Sequence, residues 1–245
     1  MKLKKNNKMK EEKQRVNFDD DNGIPAEEYE NLARKFIPGY DGLYSLAEVL
    51  LAEGLPKQAE ILVVAAGGGK EILTFGKAFP DANFTGVDPS EKMLGVAREL
   101  IKKANLQSRV ALVRGVISDL DETQFDAATA ILVMHFLPDD GEKLDFLRDI
   151  HRRLKPGAKL VLADGCFDKN SEEFDWLLNG YKNHAKLKGA PPEILDEAVK
   201  TITESVNSIS EERELELLCE AGFGEIRSFY QGLWFRGWLA KKVRA

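Results

Sequence analysis

The 245-residue chain contains only two cysteines, Cys166 and Cys219, too few for a disulfide framework or a zinc site. Both are expected to be buried free thiols. It also lacks any run approaching the ~18 to 20 continuous apolar residues of a membrane helix. The opening stretch, MKLKKNNKMKEEKQR, has no apolar segment of the signal-peptide kind, and a cytoplasmic location is expected. Positive charge is short as well. A formal net charge of −6 argues against a broad basic surface for nucleic acid, because affinity for phosphate backbones grows with the number of Lys and Arg contacts.

What is present supports one α/β domain: 43% hydrophobic and 31% charged residues suffice for a single substantial core. Lys2, Lys4, Lys5, Lys8, Lys10, Lys13 and Arg15 gather at the start. They read either as an arm that touches RNA or an acidic partner, or as the solvated, disordered terminus that charged ends usually form. Residues 1–22 are therefore taken as a basic, flexible arm, and 23–245 as the domain. A homodimer is compatible with this sequence, which does not fix the oligomeric state.

Along the chain, Tyr29, Leu32, Ala33 and Phe36 fall on one helical face. Pro38-Gly39 stops that helix, and Asp41 is expected to cap a second one carrying Leu43, Leu46, Ala47, Leu50 and Leu51. From residue 59 short apolar runs alternate with helical periods, which predicts βα units and a mostly parallel sheet covered on both faces. The predicted strands are Ile61–Ala65, Asn83–Val87, Val110–Arg114, Ala127–Val133 and Lys159–Ala163, with helices near 70–79, 91–104 and 141–154. Residues 170–207 read as an insertion of two helices, expected to act as a lid. Ser210 is expected to cap a helix through Leu215, Leu218 and Cys219, followed by two strands joined at Gln231-Gly232 as an antiparallel hairpin.

The chemistry begins at Ile61 to Glu71, where a buried strand meets a turn of small residues and then a helix. Small residues let a ligand approach main-chain amides and the helix N-terminus, although tight packing alone also selects them. The next strand ends in Asp88, nineteen residues after Gly69, where a carboxylate can accept hydrogen bonds from both hydroxyls of a ribose. Capping the helix that starts near Pro89 is the plainer role for Asp88. Lys70 is followed by Glu71 rather than Ser or Thr, which excludes a P-loop, and Ile72 stands where G-x-G-x-x-G needs its third glycine. The remaining pattern, small-x-Gly-x-Gly, suits S-adenosyl-L-methionine, which has no pyrophosphate.

The segments VVAAGGGKE, FTGVDPSEKML, RGVISDL, LVMHFLPDD, RRLKPGAKLVLAD and AGFGEI, in this order, resemble those of the class I S-adenosylmethionine-dependent methyltransferases. Within that group the chain is most similar to carboxy-S-adenosylmethionine synthases, through the entry at Ile37 to Tyr40, Phe136-Leu137 and the ending at Leu233 to Leu239. The resemblance implies a Rossmann-like, seven-stranded, mostly parallel sheet with helices on both faces and a C-terminal antiparallel hairpin. It also implies that Ala65, Ala66, Gly67 and Gly69 line the methionine part and ribose, that Asp88 holds the ribose hydroxyls, and that Pro89 and Met93 flank the adenine. Val116 and Ile117 would contact the adenine ring, Ile131 and Leu132 would lie below the cofactor, and Tyr40 would reach over it. S-adenosyl-L-homocysteine would be the product.

The chain departs from the family at Val63, Ala65 and Val116, where an acidic residue, a glycine and an aspartate are usual. It departs from the synthases at Val199, with Lys200 beside it, where they carry an arginine that pairs with the extra carboxylate. Leaving a buried carboxylate without its guanidinium is costly. Methyl transfer to a small-molecule acceptor is therefore the first reading. A synthase-like enzyme of tRNA wobble-uridine modification and a non-catalytic cofactor-binding module are its rivals. The transfer needs no obligatory base; His135 and Asp164, at strand ends, are the candidates if the acceptor requires one, against the plainer roles of packing residue and loop carboxylate. Trp234, Phe235, Trp238, Tyr230, Tyr181 and Trp176 could form an aromatic acceptor pocket, though such stripes more often belong to the core. No metal site is expected.

Overall fold

The computed structural model describes residues 18, 19, 26 and 28–243; the basic cluster between Lys2 and Arg15 lies outside them. Two helices precede the sheet, α1 (Tyr29–Phe36) and α2 (Tyr40–Ala52). Asp41 does not cap α2, because the chain enters through Gly39 in the left-handed region (φ 71°) and Asp41 already lies in the first turn. Its carboxylate instead pairs with Arg34 (2.9 Å) and Lys70 (3.0 Å).

Next come β1 (Glu60–Val64), α3 (Lys70–Ala78), β2 (Asn83–Asp88), α4 (Glu91–Lys103), β3 (Val110–Arg114), β4 (Phe125–Ile131), α5 (Glu142–Arg153) and β5 (Leu154–Gly165). These follow the predicted alternation, except that β5 already begins at Leu154, where it pairs with Phe125 of β4 across an irregular register. Along β1, Ile61 and Val63 enter one core with Leu43, Ala47, Ile72 and Phe75, while Leu62 and Val64 enter a second with Leu147, Ile150, Leu217 and Leu218. Period-two alternation with no polar side is what burial on both faces requires.

The strand order is β3-β2-β1-β4-β5-β7-β6. All pairs from β3 to β5 are parallel, and β7 (Phe235–Lys242) lies antiparallel between β5 and β6 (Phe223–Gly232). The fold is Rossmann-like, as expected. The order reverses between β1 and β4, so connections leave their carboxyl ends in opposite directions and open a crevice there.

The hairpin turn is not Gln231-Gly232. Both residues pair with β7, and Leu233-Trp234 makes the link, with Leu233 at φ 55°. Gly232 serves close approach: a Cβ there would come within 2.9 Å of the Pro38 carbonyl oxygen, which accepts the Tyr230 hydroxyl.

Two helices follow β5, α6 (Phe174–Leu187) and α7 (Pro192–Glu204). Trp234, 1% exposed, stacks with Tyr181 at 5.1 Å and lies tilted against Phe167 at 4.6 Å, and Tyr181 stacks on Phe36 of α1. These aromatics are core, while Trp176 points to solvent. Ser210 caps α8 (Glu211–Glu220) by accepting from the Arg213 amide. Cys166 is buried, but Cys219 is exposed, because α8 turns Glu214, Leu217 and Leu218 inward. Among the described residues, no helix is long and apolar enough to cross a membrane.

Candidate functional site

The carboxyl ends of β1, β2 and β4 surround a cavity of about 740 Å³, in the upper part of the ~300–1,000 Å³ range of small-ligand sites. Its floor is the turn after β1, where Ala65 (φ 55°), Gly67 (φ 49°) and Gly69 (φ 85°) all take left-handed conformations. Glycine adopts these at little cost, whereas Ala65 pays in steric strain. Leu132, at φ 62° just beyond β4, is a second strained residue in the wall. β4 ends at Ile131, two residues short of its expected end, because Leu132 turns the chain away.

Asp88 closes β2 and faces the cavity, 7% exposed. Its Oδ2 accepts the Gly67 amide (2.8 Å) and its Oδ1 the Ser90 amide (2.9 Å). The helix cap expected of it belongs instead to Ser90, whose Oγ accepts the Met93 amide (3.1 Å). Each oxygen of Asp88 retains a free lone pair. Burial raises its pKa; the two amides oppose this, and nearby Asp19 adds to the rise.

Of the sequence-selected residues, Tyr40, Ala65, Ala66, Gly67, Asp88, Pro89, Met93, Val116, Ile117, Ile131 and Leu132 share this wall. Gly69 stands behind it, where a Cβ would meet Ala97 of α4 at 3.2 Å. Its smallness serves helix packing.

His135 and Asp164 are brought together, but away from the wall. Asp164, 2% exposed, accepts the His135 Nδ1–H, the His135 amide (2.8 Å) and the Gly165 amide (2.8 Å). The imidazole lies behind Phe136, with ring centroids 4.1 Å apart.

Several wall residues carried no recognised signal in the sequence. Tyr29 read only as one position of an apolar helical face, yet it borders the cavity with its hydroxyl pushed up to about 12 by burial and by Asp88 and Asp164. Phe18 packs edge-on against Tyr29 (5.5 Å) and Phe136 (5.7 Å). Asp19 accepts from Ser90 Oγ (2.7 Å) and the Lys92 amide (3.0 Å), and it lines the cavity with Phe18. Glu71 had only its nearness to the glycine turn to mark it. It is 3% exposed, lines the cavity, and burial carries its carboxyl up to about 8.

Residues 62–160, from β1 through β5, match the family model described as a methyltransferase domain. Over this span the chain is similar to the class I S-adenosylmethionine-dependent methyltransferases. Within this family it is 25% identical to a carboxy-S-adenosyl-L-methionine synthase of Chromohalobacter salexigens, over 87% of this chain and 80% of that one. A demethylmenaquinone methyltransferase of Listeria welshimeri is 29% identical over 56% of this chain and 62% of its own length. Among solved structures, a SAM-dependent methyltransferase from Aquifex aeolicus superposes with a TM-score of 0.59 at 21% identity, covering 87% of this chain and 98% of that one. S-adenosyl-L-methionine is the cofactor that this similarity implies. The site suits it: the turn is free of side chains at Gly67 and Gly68, Asp88 has acceptor capacity left over for hydroxyls, and the cavity wall is strongly acidic around a cationic ligand.

Proposed function

We propose that the cavity binds S-adenosylmethionine with its ribose on Asp88, its adenine between Met93, Pro89 and the Val116-Ile117 segment, and its amino-acid end along Ala65, Ala66 and Gly67 beneath Tyr40. Ile131 and Leu132 lie beside it in the wall, and Gly69 backs the turn. The acceptor in this reading is a small molecule. One observation carries it: Asp88, buried at the end of β2, uses only one lone pair of each oxygen on main-chain amides while facing an open cavity.

The bound cofactor supplies a methyl group already activated by its sulfonium. The protein's part is to orient the two reactants and to exclude water. Phe18, Tyr29, Phe136 and Leu137 provide a mainly apolar stretch of wall, to which we assign the acceptor. His135 with Asp164 has the form of a general-base pair, but neither side chain borders the cavity, so the pair reaches an acceptor there only if the wall moves. Positioning alone needs no such movement and is the mechanism we adopt. The charge of the wall supports a small acceptor over RNA: Asp19, Glu30, Glu71, Asp88, Glu142, Asp145 and Asp149 line it, and Lys70 is its one basic side chain among the described residues.

Similarity to the synthases over most of the chain favours a second reading, in which the cofactor carries an additional carboxylate. The same acidic wall opposes it, as do partly buried Val199 and exposed Lys200 on α7, neither of which borders the cavity. Mass spectrometry of cofactor retained through purification separates the two, since only the second yields the carboxylated species.

Calorimetric titration with S-adenosylhomocysteine tests the first. Asp88→Ala should raise Kd about 10- to 150-fold, the worth of hydrogen bonds to a charged group, and Asp88→Asn, which keeps one acceptor oxygen, should lose less. Unchanged affinity in both variants would remove the ribose assignment.

A further inference from the structure

Glu71 occupies the first turn of α3 with its Oε1 bonded to nothing in the protein. The groups facing it come from three elements: Thr129 of β4, Asp88 of β2, and Tyr40 and Tyr44 of α2. None is a cation. Burial raises the carboxyl's pKa, Thr129 beside it opposes the rise, and Asp88 adds to it. The neighbouring Lys70 is committed elsewhere, to Glu30 and Asp41 at 3.0 Å each, and lies over the Tyr40 and Tyr44 rings. A carboxyl held this way inside a protein is costly when ionised unless a positive group joins it.

The register shows where that positive group would sit. Thr129 is the β4 partner of Val63, and Val64 pairs with both Val87 and Ala130. Asp88, next after Val87, therefore stands on the β2 side of the turn, and Glu71 on the β4 side, with Ala65 to Gly68 between them. Nucleoside hydroxyls on Asp88 leave the opposite end of the ligand to the Glu71 side. The wall as a whole carries seven acidic side chains and one basic one among the described residues, a field that favours a cation.

We propose that the Glu71 carboxylate is the partner of the cofactor's α-ammonium group. This assignment rests on the reading that S-adenosylmethionine fills the cavity. In the ligand-free protein burial keeps Glu71 largely protonated at neutral pH, with its pKa at about 8. An ammonium group arriving beside Oε1 favours the charged form, and the carboxyl proton passes to solvent. Binding thus releases a proton, and affinity tightens as pH rises towards about 8 and levels off above it.

The test is calorimetric titration of the full chain at pH 7 with S-adenosylhomocysteine, in two buffers of different ionisation enthalpy. 5′-Methylthioadenosine, which has the nucleoside and thioether but no amino-acid end, serves as the comparison ligand. The wild-type protein should release close to one proton with S-adenosylhomocysteine and none with methylthioadenosine. Glu71→Gln should abolish the release and weaken S-adenosylhomocysteine by about tenfold or more, while leaving methylthioadenosine affinity unchanged. Wild-type binding of S-adenosylhomocysteine without proton release, or equal release from both ligands, overturns the role of Glu71 and leaves the cofactor site standing. Failure of both nucleosides to bind the folded protein overturns the site itself. The two-ligand comparison on the wild-type chain decides the matter even if the variant does not fold.

Discussion

Glu71 and Glu214 are both held out of water, at 3% and 1% exposure, and burial pushes their carboxyls up to about 8 and about 7. Their surroundings differ. Glu214, on α8 under the C-terminal hairpin, accepts from Trp238 Nε1 (2.8 Å) and from the Cys166 thiol, and Lys143 lies close enough to favour its charge. Glu71, at the cavity, has an oxygen that accepts from nothing. Protein donors satisfy the first within the fold, whereas the second is completed only by something that enters. The aromatic residues divide the same way: Trp234, Tyr181, Phe167 and Phe174 close on one another, while Tyr29, Tyr40 and Tyr44 border open space.

The comparison can be broken most directly at the hairpin. Trp238→Ala removes a buried indole together with a donor to Glu214, and should cost about 3–5 kcal/mol of stability in urea denaturation. The folded fraction should bind S-adenosylhomocysteine as the wild type does; a matching loss of affinity would mean that the two regions are one unit.

The second prediction uses pH. Glu71 and Glu214 have folded-state pKa values above their ordinary value, so each keeps a proton that the unfolded chain has lost. The stability of the ligand-free protein should therefore fall as pH rises from the ordinary carboxylate range, with the Glu214 contribution complete by about 7 and the Glu71 contribution by about 8. Glu71→Gln should remove the Glu71 share of this fall, which runs from the ordinary carboxylate range to about 8 and amounts to several kcal/mol, leaving a profile that levels off by about 7, as read from thermal denaturation between pH 5 and 9. A profile identical to wild type would show that Glu71 is not protonated in the empty cavity.

The smallest effect lies on the turn between Glu71 and Asp88. Ala65→Gly relieves a left-handed alanine (φ 55°) while giving the unfolded chain more freedom, for a net gain of up to ~1 kcal/mol in Tm-derived stability. A loss would show instead that the Ala65 methyl packs to hold the turn in place.

Much of the site was legible because its signals are local. A buried strand, three glycines and a carboxylate at the next strand end lie within 28 residues, from Ile61 to Asp88, and each reports on backbone geometry that the residues themselves impose. Gly232 and Asp41 misled for the same reason that Gly67 did not. Their sequence neighbourhoods resembled turn and cap signals, but Gly232 answers to the distant Pro38 carbonyl, and Asp41 to Arg34 and Lys70. Tyr29 and Glu71 reach the cavity from helices whose periodicity says at most that a residue faces inward, without saying onto what, and Phe18 belongs to no helix or strand.

The sequence by itself determined the alternation of strands and helices, the glycine turn and the carboxylate at the end of β2, since period, backbone freedom and strand length act over a few residues. Tertiary structure decided which inward-facing groups found partners. Glu214 met an indole and a thiol from β7 and β5, and Glu71 met none on its Oε1, because whether a buried carboxyl is satisfied depends on donors brought from distant parts of the chain.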